Sequence, residues 1–288
     1  VGVSRKYSQE GETTSIFSYV YTIGMSKNVD NLLKPLIALV VIGIVYALYR
    51  FAQSFIPPHI DSIHVINLDR DTKRWESIQS QAESLNLTVN RFKGTYGKDI
   101  PYSQMRAHGV GNAMVRADRN DHKGEKLHNL GVVGCYLSHR ALIEHLGAMN
   151  VPDSYGHLIL EDDVSLPADF LQPGGRWEQL CRHIPANWDM IWLRMWKPIG
   201  TDVAPGIIKL QSDPRIRANL GTFAYVVRHG AIHGKILPSL KYMNDAFDEQ
   251  VNLHFNEWNC YVLHPGIIDI NDELQAESAI NAINGPST

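Results

Sequence analysis

The stretch His157-Leu158-Ile159-Leu160-Glu161-Asp162-Asp163-Val164 decides how this chain is read. Its three consecutive aliphatic residues describe a buried strand. The three acids that follow repel one another and lose hydration wherever burial begins. They therefore belong where the strand leaves the sheet, at its C-terminal end. In open α/β sheets that edge is where ligands bind. Carboxylates clustered there suit a hard divalent cation, one usually shared with a substrate phosphate. The alternative is a solvated acidic turn after an ordinary strand.

If the strand persists through the acids, its side chains alternate and Glu161 and Asp163 share a side. That pair is the expected site for Mn²⁺ or Mg²⁺, held directly or through water, with Asp162 left to meet a sugar or ribose. Such a metal neutralises a diphosphate leaving group.

Upstream, residues 62–68 read as a strand and 69–85 as a helix capped by Asp71 or Thr72, with Trp75, Ile78, Ala82 and Leu85 on one face. A second short strand over 89–92 completes the start of a βαβ wind. Further strands are expected at 190–193, 222–227 and 258–263, and helices at 132–149, 177–183, 229–237 and 246–255. Residues 116–129 are dense in charge and read as a loop insertion. The alternation predicts one α/β unit over 62–288 with a mostly parallel sheet flanked by helices.

The turn Asn67-Leu68-Asp69-Arg70-Asp71-Thr72-Lys73-Arg74 lies where the first strand meets the first helix. Backbone N–H groups at a helix start meet anions. Arg70 and Arg74, four residues apart, can share a helix face and reach a phosphate; local pairing of these charges is the alternative. No GxGxxG is present, so an ordinary dinucleotide fold is not supported. In Gly131-Val132-Val133-Gly134-Cys135-Tyr136-Leu137-Ser138-His139-Arg140, Gly134 permits close approach of a ligand or of a neighbouring strand. Ser138 and His139 follow one turn into the helix. His139 either binds a donor group or packs and hydrogen-bonds. Adjacent on a helix, Ser138 and His139 diverge by about 100°, which argues against a nucleophile pair made of these two. Asp245 and Asp248, three apart at a helix start, can face one cleft, where one of them accepts a proton from an attacking hydroxyl; helix capping and dipole pairing are the alternative.

The bulk numbers narrow the class. With 44% hydrophobic and 20% charged residues in 288, a packed core is possible. A net charge of −3 without a basic stripe makes nucleic acid an unsuitable partner. Cys135, Cys181 and Cys260 show no CxxC spacing and read as three buried thiols. Residues 1–31 form a polar tail, and the chain opens on Val1 rather than Met, so a longer N-terminus is expected. Residues 32–56 hold the uncharged run Leu36–Tyr49 and approach the length of a membrane-spanning helix. Lys34 and Arg50 would snorkel to the two interfaces and Tyr46 and Tyr49 would sit in the interfacial belt. A signal-peptide core and a buried core helix are the alternatives. Pro57-Pro58 then opens a linker over 57–61. Lys27 and Lys34 before the span, against Arg50 after it, place the large C-terminal part on the lumenal side, with the cytoplasmic face as the other option. The sequon Asn86-Leu87-Thr88 fits the lumenal choice.

Taken in order, these pieces resemble glycosyltransferase family 25, which includes bacterial lipooligosaccharide galactosyltransferases and collagen hydroxylysine galactosyltransferases. The resemblance runs from Ile63 to Ile280. It rests on Val65-Ile66-Asn67-Leu68-Asp69-Arg70, Phe92-Lys93-Gly94, Gly97, Gly134-Cys135, Leu137-Ser138-His139-Arg140-Ala141-Leu142, Leu158 through Val164, and Trp188-Asp189. Gly221-Thr222, Ala224-Tyr225, the Asp248 segment and Ser278-Ala279-Ile280 complete it. It implies a GT-A fold, a UDP-hexose donor, a divalent metal and inversion at the anomeric carbon. On matching positions, Glu161, Asp162 and Asp163 are the metal and donor motif. Asn67 and Arg70 are donor-side residues, and Asp248 is on the acceptor side. The expected protein is thus a membrane-anchored, metal-dependent transferase moving galactose or glucose onto a hydroxyl of a glycan or of a hydroxylated protein. A non-catalytic, anchored carbohydrate-binding or scaffold protein of the same fold is the rival.

Overall fold

The computed structural model describes residues 33–48, 57–112, 114 and 130–276, and divides the chain into two units, Val1–Phe55 and Ile56–Thr288. In the first unit a helix, α1, covers residues 33–48, and its apolar side chains, such as Leu39, Ile42 and Val45, are exposed. At 1.5 Å per residue α1 is about 24 Å long, short of the roughly 30 Å of a bilayer core. Among the described residues no helix is long and apolar enough to cross a membrane. The span expected over 32–56 is thus not supported by α1 as it stands, and its ends, residues 32 and 49–56, lie outside the described residues. So do the expected polar tail 1–31 and the charged loop 116–129.

The second unit is α/β. Its strands are β1 (Ser62–Asn67), β2 (Asn90–Lys93), β3 (Gly156–Glu161), β4 (Val164–Ser165), β5 (Met190–Trp192), β6 (Gly200–Ala204), β7 (Ile207–Leu210), β8 (Ala224–Arg228), β9 (Cys260–Leu263) and β10 (Asp269–Ile270). Its helices are α2 (Thr72–Ser84), α3 (Leu130–Gly147), α4 (Arg176–Cys181), α5 (His229–Ala231, continued through the π turn Ile232–Ile236 into Leu237–Ser239), α6 (Phe247–Asn252) and α7 (Asp272–Ala276). Eight strands form one sheet in the order β2-β1-β3-β8-β5-β9-β7-β6, and β4 pairs with β10 apart from it. β1 is parallel to β2 and to β3, and β5 is parallel to β9. β8 runs antiparallel between β3 and β5, and β7 antiparallel between β9 and β6. The sheet is therefore mostly parallel in strand direction, with β8 and β7 reversed.

Period-two alternation splits the strand residues between two cores. Leu158 and Leu160 join Ile63, Val65, Ala224 and Val226 on the face covered by Ile78 and Leu85 of the α2 region. Ile159 joins Trp192, Tyr225, Val227 and Val262 on the face covered by Val133, Tyr136, Leu142 and Leu146 of α3. The run Leu158–Leu160 is apolar throughout because each face of β3 is buried. The β6–β7 hairpin was not anticipated. It lies at the end of the sheet, β6 is largely exposed, and its residues Gly200–Ala204 lack a strong apolar alternation.

Candidate active site

β1 and β3 are neighbours in register, with Ile66 opposite Glu161, so Asn67 and Glu161 leave the sheet at the same C-terminal edge. The antiparallel β8 begins there too. The Glu161 amide donates to Phe223 O at 2.9 Å, which brings Thr222 beside Glu161. α3 crosses above with Cys135, Ser138 and His139. Together with Arg74, Tyr96 and the three acids these residues line a cleft.

β3 ends at Glu161, and Asp162 and Asp163 form a turn before Val164 enters β4. The strand does not continue through the acids, so the alternation expected to place Glu161 and Asp163 on one side stops short. Two different sets of partners hold the triplet. Glu161 Oε1 accepts from the Thr222 hydroxyl, meets His139 Nε2 at 3.2 Å and lies 3.9 Å from Cys135 Sγ. Burial pushes the Glu161 carboxyl up, but the hydrogen bonds from His139 and Thr222 and the charges of His139 and Arg74 outweigh it and hold it below its ordinary value.

Asp162 is buried, with both oxygens occupied: Asn67 Nδ2 donates to Oδ2 at 2.6 Å and Arg74 Nη1 to Oδ1 at 2.9 Å. Arg91 Nε donates to Asn67 Oδ1 at 2.8 Å, which fixes the orientation of that amide. Burial raises the Asp162 carboxyl despite Asn67 and Arg74. Arg74 Nη1 is also 3.7 Å from Asp163 Oδ2, and its Nη2 donates to Leu274 O on α7. Arg74 is thus a buried cation at 9% exposure, committed to the acids rather than open to solvent. Asp163 is the least satisfied of the three. Its Oδ1 is buried without a hydrogen-bond partner among the described residues. Burial, with Glu161 adding to it and Arg74 opposing it, pushes its carboxyl up to about 7.

Of the other predicted donor-side residues, Ser138 and His139 line the cleft, and Arg70 and Gly134 contact residues that do. Arg70 lies with its guanidinium 4.0 Å from the Tyr96 ring centroid and its Nε 3.5 Å from Asp71. A Cβ on Gly134 would stand 2.6 Å from Gly97 N and Thr95 O, so glycine lets α3 approach the 95–97 segment. Ser138 Oγ donates to Gly134 O at 2.6 Å and accepts from Thr95 N at 2.7 Å, tying the same segment down. His139 is buried with both ring nitrogens engaged, Nδ1 with the Tyr225 hydroxyl at 2.8 Å and Nε2 with Glu161.

Asp248 opens α6. Its Oδ2 accepts from Gly221 N at 2.7 Å and its Oδ1 from Glu249 N at 3.0 Å. Burial raises its carboxyl against these amides, and Glu161 is close enough to add to the rise. Asp245 accepts from Ala246 N at 2.9 Å and shares a side-chain hydrogen bond with Glu249.

Sequence reasoning gave no role to Thr222, Tyr225 or Cys135. Thr222 and Tyr225 flank the start of β8, which only the antiparallel pairing of β8 with β3 brings to this edge. Cys135 is half-buried and lines the cleft, whereas Cys181 and Cys260 are buried as expected. Its spacing of four from His139 was a signal available in the chain.

Residues 60–199 match the model for Glycosyltransferase family 25 (LPS biosynthesis protein). A Glycosyltransferase 25 family member of Aedes aegypti is 29% identical over 133 residues, covering 46% of this chain and 21% of that protein. Family members from Drosophila pseudoobscura pseudoobscura and Drosophila melanogaster are each 23% identical, over 67% and 69% of this chain and 31% and 32% of their own lengths. The chain thus spans about a fifth to a third of the length of the curated relatives it matches. The family model, and relatives that carry the same family name, support the assignment of this chain to glycosyltransferase family 25.

Proposed function

We propose that the chain is an inverting hexosyltransferase that takes galactose or glucose from a UDP-sugar in the cleft above β1 and β3. The observation that carries this reading is the buried, unpartnered Asp163 Oδ1 at the C-terminal edge of the sheet. A buried carboxylate oxygen without a donor is costly unless a cation arrives. Three carboxylates there face the single guanidinium of Arg74, so the donor set fits a hard divalent cation, Mn²⁺ or Mg²⁺. Asp163 and Glu161 would hold it. When bound, such an ion neutralises charge on a diphosphate leaving group.

The remaining residues act on position and protons. Asn67 and Arg74 clamp Asp162, which fixes the turn carrying Asp163. Tyr96, with the Arg70 guanidinium over its ring, lines the cleft where the diphosphate or base would lie. Inversion needs one in-line displacement and one base. Asp248 is the better candidate, since it senses Glu161 electrostatically. The acceptor is a hydroxyl of a glycan or of a hydroxylated protein. The apolar, exposed α1 is consistent with membrane contact of the first unit, and Lys27 and Lys34, set against Arg50 after the apolar run, favour a lumenal catalytic unit.

The test is a donor screen on the 288-residue chain, reading UDP released from UDP-galactose and UDP-glucose with Mn²⁺. Release that disappears in Asp163→Asn supports the reading. Equal release by Asp163→Asn, or none from either donor, contradicts it.

A further inference from the structure

Among the described residues, one group of three side chains places its ligand atoms within 4.8 Å of one another: Cys135, His139 and Glu161. Asp163, the carboxylate assigned above to a hard cation, is not among them. We propose that Cys135 Sγ, His139 Nε2 and Glu161 Oε1 form a binding site for Zn²⁺, separate from the hard-cation position at Asp163 but sharing Glu161 with it.

Three observations carry this. The first is chemical: a thiolate, an imidazole and a carboxylate select a borderline-soft cation, whereas Mg²⁺ and Mn²⁺ prefer oxygen. The second is metric. Tetrahedral zinc with usual bond lengths puts S and O about 3.6 Å apart and N and O about 3.4 Å apart. The observed separations are 3.9 Å for Sγ to Oε1 and 3.2 Å for Nε2 to the same Oε1. Each of these two separations meets the zinc value with a shift of a few tenths of an ångström, and Sγ and Nε2 lie within 4.8 Å of one another. The third is the support behind the ligands. His139 Nδ1 is 2.8 Å from the Tyr225 hydroxyl, which can accept from Nδ1 when Nε2 binds metal. The ring is also held against Phe247, 4.8 Å between centroids, so Nε2 keeps its aim into the cleft. Cys135 and His139 are one turn apart on α3, a rigid element.

Binding forms the S–Zn bond as the thiol proton passes to solvent; the proton that His139 Nε2 shares with Glu161 leaves that nitrogen, for solvent or for Nδ1, and Nε2 and Oε1 then each bond to the metal. Zinc binding itself stands without the UDP-sugar reading. Its consequence rests on that reading: zinc withdraws Glu161 from the hard cation and lowers nucleotide affinity.

Co²⁺ titrated into the 288-residue chain is the first probe. One equivalent should produce a thiolate-to-cobalt charge-transfer band in the near ultraviolet, which Zn²⁺ abolishes and which Cys135→Ser lacks. Absence of the band, or its persistence in Cys135→Ser, overturns the proposal. X-ray absorption on the wild-type chain with one equivalent of zinc needs no variant. One sulfur at about 2.3 Å from the metal supports the site, and a shell of nitrogen and oxygen alone, as from surface histidines, overturns it. Failure of UDP to bind would leave both readouts unchanged, so the two readings fail separately.

Discussion

Removing the guanidinium of Arg74 should destabilise the chain, and by an amount that shrinks in acid. Arg74→Met keeps most of the side-chain volume and deletes the cation bonded to Asp162 at 2.9 Å and near Asp163 at 3.7 Å. The Arg74, Asp162 and Asp163 side chains are only 8–11% exposed, so solvent screens little of the loss. Breaking a buried ion pair from one side costs about 3–5 kcal/mol. Asn67 still donates to Asp162 at 2.6 Å, which favours the low end, about 3 kcal/mol at pH 7. Proton uptake sets a ceiling. A carboxylate that loses its cation can stay neutral in the fold at about 1.4 kcal/mol per pH unit above its unfolded value near 3.9, roughly 4 kcal/mol at pH 7 and 1.5 at pH 5. The sign follows: the variant's folded state holds a proton that its unfolded state releases, so its stability falls as pH rises. Urea unfolding in EDTA at both pH values measures this. Expected are a loss of about 3 kcal/mol at pH 7 and about half of that at pH 5. A loss below about 1 kcal/mol at pH 7, the range of an exposed pair, would refute the buried clamp.

Gly134→Ala puts a methyl group against the backbone at Gly97 and Thr95, and should cost about 1–3 kcal/mol in urea unfolding; a change within about 0.5 kcal/mol would mean that α3 is free to move away. Asp248→Asn should slow sugar transfer at least about a hundredfold while UDP binding is kept; unimpaired transfer assigns the base elsewhere. Burial, reinforced by neighbouring histidines, lowers His64 to about 4 and His157 to about 3. Their contribution to stability is complete above the unfolded value near 6.5 and is lost as pH falls toward 4 and 3, at up to about 1.4 kcal/mol per pH unit each. Proton NMR of the imidazoles should show both neutral at pH 5, and titration of either near 6.5 contradicts their burial as neutral groups.

Much of this architecture was legible because local pattern and burial agree. Leu158–Leu160 is apolar at every position, and the structure buries it on both faces. Trp75, Ile78, Ala82 and Leu85 mark α2, and all but the half-buried Trp75 are buried. The edge at Asn67 and Glu161 could be placed because both residues end strands. What was not legible depends on contacts remote in sequence. Arg74 reads in the sequence as a phosphate ligand or a locally paired charge, and only the fold places it against an acid 88 residues away. Strand alternation suggested Glu161 and Asp163 as a pair, but Thr222 and His139 hold one while the turn carries the other toward Arg74. Thr222 and Tyr225 enter through β8, whose direction no local pattern specifies.

Calorimetric titration of UDP into the 288-residue chain, with Mn²⁺, with EDTA, and with Glu161→Ala and Asp163→Ala, tests the central claim most directly. The cleft as described predicts binding that requires Mn²⁺ and is lost in both variants. Binding of equal strength in EDTA, or in both alanine variants, would contradict a metal-held nucleotide at the end of β3.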